Sequence, residues 1–121
     1  MKILCAIVTY NREKLLKRCL LNILDQSKKP DKILIINNGE IKSINKFILE
    51  NNIEIINQNN LGSAGGWNTA IAFALKDNYD YIWLMDDDGY PDLESLKLLF
   101  ENFQSSYSCL SSVVVNEKII F

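Results

Sequence analysis

Short apolar runs and longer amphipathic stretches alternate along this chain, and together they predict alternating strands and helices. Runs rich in β-branched and aromatic residues predict buried strands at residues 3–8, 32–36, 53–56, 81–85 and 110–115. Apolar residues at helical spacing predict helices at residues 13–24, 44–50, 64–76 and 92–103. This order is typical of an α/β fold whose mainly parallel sheet has right-handed crossovers and helices on both faces.

The composition indicates one soluble globular domain. Of the 121 residues, 48% are apolar and 23% are charged, which is ordinary for a protein that buries a core. Thirteen basic and fifteen acidic residues leave a net charge of −2, and no run of lysine or arginine dominates. We therefore expect no nucleic-acid partner. Histidine is absent, which excludes a His-based triad or a His metal ligand within these residues.

The cysteines and the hydropathy of the chain indicate its cellular compartment. The chain has three cysteines, an odd number, at the uneven spacing of Cys5, Cys19 and Cys109. We therefore expect small core side chains in a reducing compartment, not disulfides or a zinc site. The first apolar run is shorter than a signal-peptide core, and no apolar segment approaches the roughly 20 residues that span a bilayer. These features predict a cytoplasmic protein, either free or peripheral at the inner face of the membrane.

Three consecutive carboxylates, Asp86, Asp87 and Asp88, directly follow the predicted strand at residues 81–85. A glycine and a proline come next and stop both the strand and an immediate helix. In open α/β sheets the ligand crevice lies at the carboxyl ends of the strands. Crowded like charges repel unless they are neutralised, and hard oxygen ligands favour Mg²⁺ or Mn²⁺. The pattern favours a site for a divalent cation and a diphosphate. The alternative is a solvated loop that caps the next helix.

The loop after the first predicted strand carries Thr9, Tyr10, Asn11 and Arg12. These side chains offer hydroxyl, aromatic, amide and guanidinium groups, a set that suits a nucleotide base and a diphosphate. The alternative is that Asn11 only caps the following helix.

The second predicted strand is followed by Asn37, Asn38 and Gly39. An Asn-Gly pair is ordinarily turn chemistry, so Asn38 and Gly39 favour a structural turn. Asn37 stands at the strand's end, where its amide can pair with the edge of a base.

A glycine-rich segment leads from the third predicted strand into a helix and contains Asn60, Gly62, Gly65, Gly66 and Asn68. Small residues let backbone N–H groups approach an anion, and a helix N-terminus favours negative charge. The spacing is neither that of a Walker loop nor that of the dinucleotide fingerprint. A purely structural bend is the alternative.

Taken in order, segments 8–12, 37–39, 60–68 and 84–88 resemble the nucleotide-binding half of a family 2 glycosyltransferase of the GT-A fold, which is Rossmann-like. The resemblance extends from Ile3 to about the helix after Pro91. It is strongest with the branch of galactofuranosyl- and rhamnosyltransferase-like proteins. Much of the wider family has Ala-Arg-Asn where this chain has Gly66-Trp67-Asn68.

The resemblance implies specific roles for the loop residues. Thr9, Asn11 and Arg12 would hold the base, ribose or diphosphate of a sugar nucleotide. Asn37 stands where the family usually has an aspartate that reads a uracil or thymine ring, and an amide lacks the charge-assisted strength of a carboxylate.

The three aspartates take roles from the same resemblance. Asp86 and Asp88 would be the outer residues of an Asp-X-Asp motif that contacts the ribose and a metal-bound diphosphate, with Mn²⁺ or Mg²⁺ as the metal. Asp87 would contact the donor sugar or the ribose.

The resemblance implies an inverting glycosyltransferase that takes a UDP- or dTDP-sugar to a saccharide or lipid-linked acceptor, in cell-surface polysaccharide biosynthesis. Family members are longer, so we expect residues 1–121 to be the single sugar-nucleotide-binding domain of a longer enzyme whose other half supplies the general base. Two alternatives remain open: a nucleotidyltransferase, which normally has a basic Gly-rich loop after its first strand, and a non-catalytic fragment that binds a nucleotide or a partner. A response-regulator receiver is a weaker alternative.

Overall fold

A four-stranded sheet forms the centre of the computed structural model, which describes residues 1–112. The strands are β1 (Ile3–Thr9), β2 (Lys32–Asn37), β3 (Glu54–Asn57) and β4 (Tyr81–Asp86). They lie in the order β3-β2-β1-β4, and every neighbouring pair is parallel. β1 is central and buried at every residue. The predicted α/β class with a parallel sheet is confirmed.

Helices cover both faces of this sheet, as the sequence predicts. They are α1 (Glu13–Leu24), α2 (Asn45–Glu50), α3 (Gly62–Lys76) and α4 (Ser95–Asn102). The odd-numbered apolar residues of β1 and β2 pack with α1 and α2, whereas the even-numbered ones pack with α3. Side chains of a strand point alternately to its two faces, so one continuous apolar run serves two cores.

The strands extend one residue further at their C-terminal ends than the apolar pattern predicts. Thr9 pairs with Asn37, and Asn37 pairs in turn with Asn57. At the other side of β1, Val8 pairs with Asp86. The ladder is made by backbone groups alone, so it continues where the side chains have already become polar. Four polar side chains are thereby aligned at the C-terminal edge of the sheet.

Two helices and the fifth strand depart from the sequence prediction by more than one residue. α3 begins at Gly62 rather than at residue 64, so the glycine-rich segment is the start of a helix rather than a bend before it. α4 is shorter than predicted, since Asp92 belongs to a turn in which its carbonyl accepts the Ser95 N–H at 3.0 Å. Residues 110–112 form no strand, and the rest of the predicted strand at 110–115 lies outside the described residues.

The connections place a topological switch point between β1 and β4. From β1 the chain crosses through α1 to β2 and then to β3 on one side, and α3 returns it to β4 on the other side of β1. In open α/β sheets a ligand crevice forms outside the strand ends at such a point. The loops after β1 and β4 border it.

Within the part of the chain that the structure describes, no helix combines the length and the apolar character needed to cross a bilayer.

Candidate functional site

The loops that the sequence singles out after β1 and β4 meet at the switch point. Thr9 ends β1 and is almost fully buried, whereas Tyr10, Asn11 and Arg12 are exposed. Across the gap, Asp87 follows the end of β4 and is completely buried. The structure therefore brings the first loop and the acidic loop into direct contact.

Asp87 is held entirely by groups from the first loop. The Thr9 hydroxyl donates a 2.8 Å hydrogen bond to Asp87 Oδ2, and Arg12 Nε donates a second one to the same oxygen at 3.1 Å. Arg12 Nη2 forms an ion pair with Oδ1, and Oδ1 accepts no hydrogen bond from any of residues 1–112. A buried carboxylate needs such compensation, because an unpaired buried charge is costly. The sequence predicts a donor contact for Asp87, and the structure places its carboxylate inside the protein.

Asp86 and Asp88, the outer two aspartates, are both exposed. Arg12 Nη1 lies 4.0 Å from Asp88 Oδ2, with half of the Arg12 side chain and 55% of the Asp88 side chain accessible to solvent. The guanidinium of Arg18 lies 4.8 Å from the ring centroid of Tyr90 and donates to the Asp88 carbonyl at 3.5 Å. The Asp88 carboxylate and two guanidinium groups therefore share one exposed rim, and the exposed Asp86 ends the adjoining strand. Such a rim can bind a phosphate-bearing ligand through cations of the protein or through a bound metal.

The amide of Asn37 is engaged within the protein. Its Oδ1 accepts the Gly39 N–H at 3.1 Å, and its Nδ2 donates to Asn57 Oδ1 at 2.9 Å. The side chain is 2% exposed. These contacts make Asn37 the residue that closes the turn after β2, a role that the sequence analysis reserves for Asn38 and Gly39.

A second amide network ties the end of β2 to α3. Asn38 Nδ2 donates to the Gly62 carbonyl at 3.2 Å, and Asn38 Oδ1 accepts from Gln58 Nε2 at 2.8 Å. Thr69 donates to Gln58 Oε1 at 2.8 Å. Gln58 and Thr69 were not picked out from the sequence, because neither stands in a recognisable motif and only the fold brings them beside Asn38.

Gly39 allows the loops after β1 and β2 to touch. A Cβ on Gly39 would lie 2.3 Å from Asn11 Oδ1 and 2.9 Å from the Tyr10 ring. Asn11 has a positive φ of 53°, and its Oδ1 accepts the Glu40 N–H at 2.8 Å. Asn11 therefore does not cap α1 with its side chain; it bridges the two loops instead.

An open depression of about 250 Å³ lies beside these loops, lined by Asn11, Glu13, Glu40 and Lys42. The Glu13 carboxylate accepts the backbone N–H groups of Lys42 at 2.6 Å and of Ser43 at 2.9 Å. These hydrogen bonds lower the pKa of Glu13, and the bond from the Ser43 backbone has the largest effect. The depression is smaller than the pockets that enclose a typical ligand, so a nucleotide would extend across the surface.

The glycine-rich segment has local structural functions. Asn60 Oδ1 accepts the Gly62 N–H at 3.0 Å, and Gly62 has a positive φ of 73° at the start of α3. Gly66 is buried against Val8 of β1. Gly65 is half-buried beside Leu61, while Asn68 points to solvent from the second turn. The N-terminus of α3 lies at the C-terminal edge of the sheet, beside the loop after β2.

Gln26, which the sequence analysis did not single out, anchors the segment after the aspartates. Gln26 is 1% exposed; its Nε2 donates to the Asp92 carbonyl at 2.6 Å, and its Oε1 accepts the Leu96 N–H at 3.0 Å. Asn22 donates to the Pro91 carbonyl at 3.2 Å. A polar residue just past an amphipathic helix is ordinarily read as solvent-exposed, so the sequence carries no signal for this clamp.

The cysteines follow the prediction only in part. Cys5 and Cys19 are buried, but Cys109 is exposed, so the expectation of three core side chains is wrong for Cys109. Burial first, and then the charges of Asp87 and Asp88, raise the pKa of Cys19 to about 12. Burial raises the pKa of Cys5 well above its usual value. Both buried thiols are therefore chemically inert at neutral pH.

A sequence profile settles the family. The profile described as Glycosyl transferase family 2 matches residues 5–119, which is nearly the whole chain. This chain belongs to glycosyl transferase family 2. The resemblance seen in the loop sequences is thereby confirmed, and the switch-point loops of this family 2 domain are its candidate site.

Individual relatives agree with this assignment. The chain is 32% identical over 94 residues to galactofuranosyltransferase GlfT1 of Mycolicibacterium smegmatis, an alignment that covers 74% of this chain and 31% of the relative. It is 27% identical over 93 residues to GlfT1 of Mycobacterium tuberculosis, covering 73% of this chain and 31% of that protein. The chain thus spans about a third of the length of the curated relatives that it matches.

A solved structure shares the fold. The crystal structure of S. aureus TarS superposes with a TM-score of 0.58 at 21% identity, covering 84% of this chain and 19% of TarS. A shorter form, TarS 1-349, superposes with the same TM-score at 20% identity, and the superposition covers 32% of that form. The likeness supports a Rossmann-like α/β domain of the GT-A type.

Proposed function

We propose that this family 2 domain binds the nucleotide part of a UDP- or dTDP-sugar donor and serves an inverting glycosyltransferase. The observation that carries the proposal is the contact between the loops after β1 and β4, which places Arg12 beside the exposed carboxylate of Asp88, two residues after the exposed Asp86. A cation and two carboxylates at one strand-end rim are the groups that a diphosphate and its counter-ion require.

A divalent cation fits the donor atoms of this rim. Asp87 is already neutralised by Arg12, which leaves two exposed carboxylates, Asp86 and Asp88. Within residues 1–112 no three acidic, Cys or His side chains form a ready metal cluster. Mg²⁺ is typically bound through one or two carboxylates together with substrate phosphates. We therefore assign Asp86 and Asp88 as the protein ligands of a Mn²⁺ or Mg²⁺ that arrives with the diphosphate, where it would neutralise phosphate charge.

Arg12 supports departure of the nucleoside diphosphate. Its Nη1 faces the acidic rim, and its other nitrogens are fixed by Asp87. A guanidinium held in place stabilises negative charge as it develops on the leaving diphosphate, and it needs no reorganisation at that moment. The acceptor hydroxyl attacks the anomeric carbon from the opposite side, which inverts that centre. We assign the general base to no residue of this chain.

The relatives guide the choice of donor and acceptor. Two of them are named galactofuranosyltransferases, so UDP-linked galactofuranose is the first donor to test. A saccharide or lipid-linked acceptor, a cytoplasmic location at the inner face of a membrane and a role in cell-surface polysaccharide synthesis are what the resemblance in the loop motifs implies, and they stay predictions.

Calorimetric titration of the chain with UDP and with dTDP, each with and without Mn²⁺, tests the proposal. We expect binding of at least one nucleotide to depend on Mn²⁺. Failure of both nucleotides to bind a folded protein would contradict the proposal. A nucleoside triphosphate that binds better than either diphosphate would favour a nucleotidyltransferase instead.

The variant Asp88→Asn identifies the metal ligand. We expect it to abolish the Mn²⁺-dependent part of nucleotide binding while the circular dichroism spectrum and melting temperature stay unchanged, because Asp88 is exposed. Asp25→Asn is the matched control, since Asp25 is exposed at the far end of α1. Equal Mn²⁺-dependent binding by Asp88→Asn and the wild type would refute the assignment.

A further inference from the structure

The middle aspartate differs from its two neighbours in its surroundings. Asp87 is 0% exposed, whereas Asp86 and Asp88 on either side are exposed. Asp86 is the last residue of β4, and a turn that the Gly89 N–H closes onto the Asp86 carbonyl at 2.9 Å directs the Asp87 side chain inward. There it lies in the interior beneath the loop after β1.

Both carboxylate oxygens of Asp87 are used by the protein. Oδ2 accepts from Thr9 at 2.8 Å and from Arg12 Nε at 3.1 Å, and Oδ1 is paired with Arg12 Nη2. A donor sugar or ribose could reach this carboxylate only by displacing Arg12. Oδ1 accepts no hydrogen bond among residues 1–112, but it is buried behind the Arg12 guanidinium and is not exposed at the rim.

Arg12 is held along one edge and free along the other. Nε and Nη2 form a side-on bidentate pair with Asp87, and Nη1 lies toward Asp88 at 4.0 Å. Bidentate pairing of a guanidinium with a carboxylate fixes direction as well as charge. The free edge of Arg12 is thereby oriented toward the exposed carboxylate of Asp88.

We propose that Asp87 is a positioning residue, which holds Arg12 with its free edge toward the diphosphate of the donor and does not itself contact the donor. The inference rests on the proposed function, because it assigns the diphosphate to the rim between Arg12 and Asp88. Thr9 acts with Asp87, since its hydroxyl fixes the carboxylate that fixes the guanidinium.

The first test compares ligands with and without phosphates. In Asp87→Asn we expect the affinity for UDP or dTDP to fall about tenfold, equivalent to about 1.4 kcal/mol, while the affinity for uridine or thymidine changes less than twofold. Asp25→Asn, which removes the same charge at the far end of α1, should change neither affinity. A parallel loss of nucleoside and diphosphate binding in Asp87→Asn would show a structural effect and overturn the proposal.

A double-mutant cycle separates action through Arg12 from direct action on the donor. In an Arg12→Lys background, where the bidentate pair cannot form, Asp87→Asn should lower diphosphate affinity by less than twofold. An undiminished tenfold loss in that background would mean that Asp87 acts on the donor itself. If Asp87→Asn does not fold, Thr9→Val takes its place in the cycle, because it leaves the ion pair intact and removes one anchor of Asp87.

Arginine Nε–H signals in ¹⁵N NMR read the geometry without any nucleotide. The chain contains two arginines, Arg12 and Arg18, so each signal is assigned by one Arg→Lys variant. We expect the Arg12 Nε–H of the wild type to be rigid and protected from exchange, to become as mobile as that of Arg18 in Asp87→Asn, and to lose only part of its protection in Thr9→Val, which keeps the ion pair. An Arg12 signal that is mobile in the wild type overturns the inference. Absent nucleotide binding with a rigid Arg12 would contradict the proposed function alone.

Discussion

Gly66 of α3 lies against Val8 of β1 so closely that a Cβ on Gly66 would come within 2.6 Å and 2.7 Å of the two Val8 methyl groups. The helix is thereby seated on the central strand near the C-terminal end of that strand, on the opposite face of the sheet from α1. Gly66 belongs to the glycine-rich segment that is a candidate for ligand binding by sequence, and in the structure it has a packing function.

Replacing Gly66 by alanine should therefore destabilise the domain. Overpacking a tight core contact costs about 1–3 kcal/mol, and the better helix propensity of alanine recovers part of it, so we expect a net loss of about 1 kcal/mol. Urea unfolding measures the change. In a Val8→Ala background the same substitution should cost much less, since both methyl groups are gone and only the Cβ of residue 8, at 3.2 Å, remains near the new Cβ. An equal loss in both backgrounds would rule out the contact as the cause.

The two hydrogen bonds of Gln26 should stabilise the domain and hold the segment that follows the acidic loop. Gln26→Ala removes the partners of the Asp92 carbonyl and the Leu96 N–H, which we expect to lower the free energy of unfolding by about 2 kcal/mol. Chemical denaturation is the measurement. The exposed Gln104→Ala serves as control and should have no effect. Two indistinguishable unfolding midpoints for Gln26→Ala and the wild type would contradict the role of the clamp.

The contacts of Asn37 predict the outcome of Asn37→Asp. From sequence alone, an aspartate here is expected to tighten binding of a pyrimidine nucleotide. In the structure the amide donates to Asn57 and is nearly fully buried, so a carboxylate would lose that donor and add a buried charge. We expect a loss of about 1–3 kcal/mol in stability and no gain in UDP affinity. Asn59→Asp adds the same charge at an exposed position and is the control. A tighter UDP complex in Asn37→Asp would show that residue 37 faces the base.

Glu13 should contribute to the acid sensitivity of the fold. Hydrogen bonds from the backbone of Ser43 and Lys42 lower its folded-state pKa from 4.5. A depressed carboxyl pKa stabilises the fold at pH values above the unfolded pKa, and this contribution disappears as the pH falls through the folded pKa. Glu13→Gln should therefore destabilise the protein at pH 7 more than at pH 3, as measured by thermal unfolding. The exposed Glu101→Gln is the charge-matched control, and a pH-independent difference for Glu13→Gln would contradict the expectation.

Thiol reactivity should distinguish the three cysteines. The pKa of Cys19 is raised to about 12 by burial and by the nearby aspartates, and the pKa of Cys5 is also raised by burial. Only the exposed Cys109 should react with Ellman's reagent at pH 8 in the folded protein, and all three should react in denaturant. The Cys109→Ser variant should then show no fast-reacting thiol. Rapid labelling of that variant would mean that the core around Cys19 opens readily.

Local patterns were sufficient for most of the architecture. The apolar runs predicted β1 to β4, and helical spacing predicted α1 within its observed bounds, because burial of one helical face or of a whole strand leaves a periodic record in the sequence. The C-terminal ends of the strands were predicted one residue too early. Each strand continues into a polar residue such as Thr9 or Asp86, since ladder hydrogen bonds require no apolar side chain.

The order of the loop motifs was enough to place the chain in glycosyl transferase family 2 and to select the loops that form the site. Spacing could not say what each side chain does there. Asp86, Asp87 and Asp88 are chemically identical in the sequence, and only the fold buries one of them beneath Arg12 while exposing the other two.

The sequence by itself therefore determined the α/β class, the family and the strand ends at which chemistry is expected, because these depend on residue type and local periodicity. The tertiary structure alone decided that Thr9 and Arg12 meet Asp87, that Asn37 bonds to Asn57, and that Gln26 clamps the chain beyond Asp88. These pairs are distant along the chain. Hydrogen bonds and ion pairs between distant residues depend on register and burial, which no local pattern encodes.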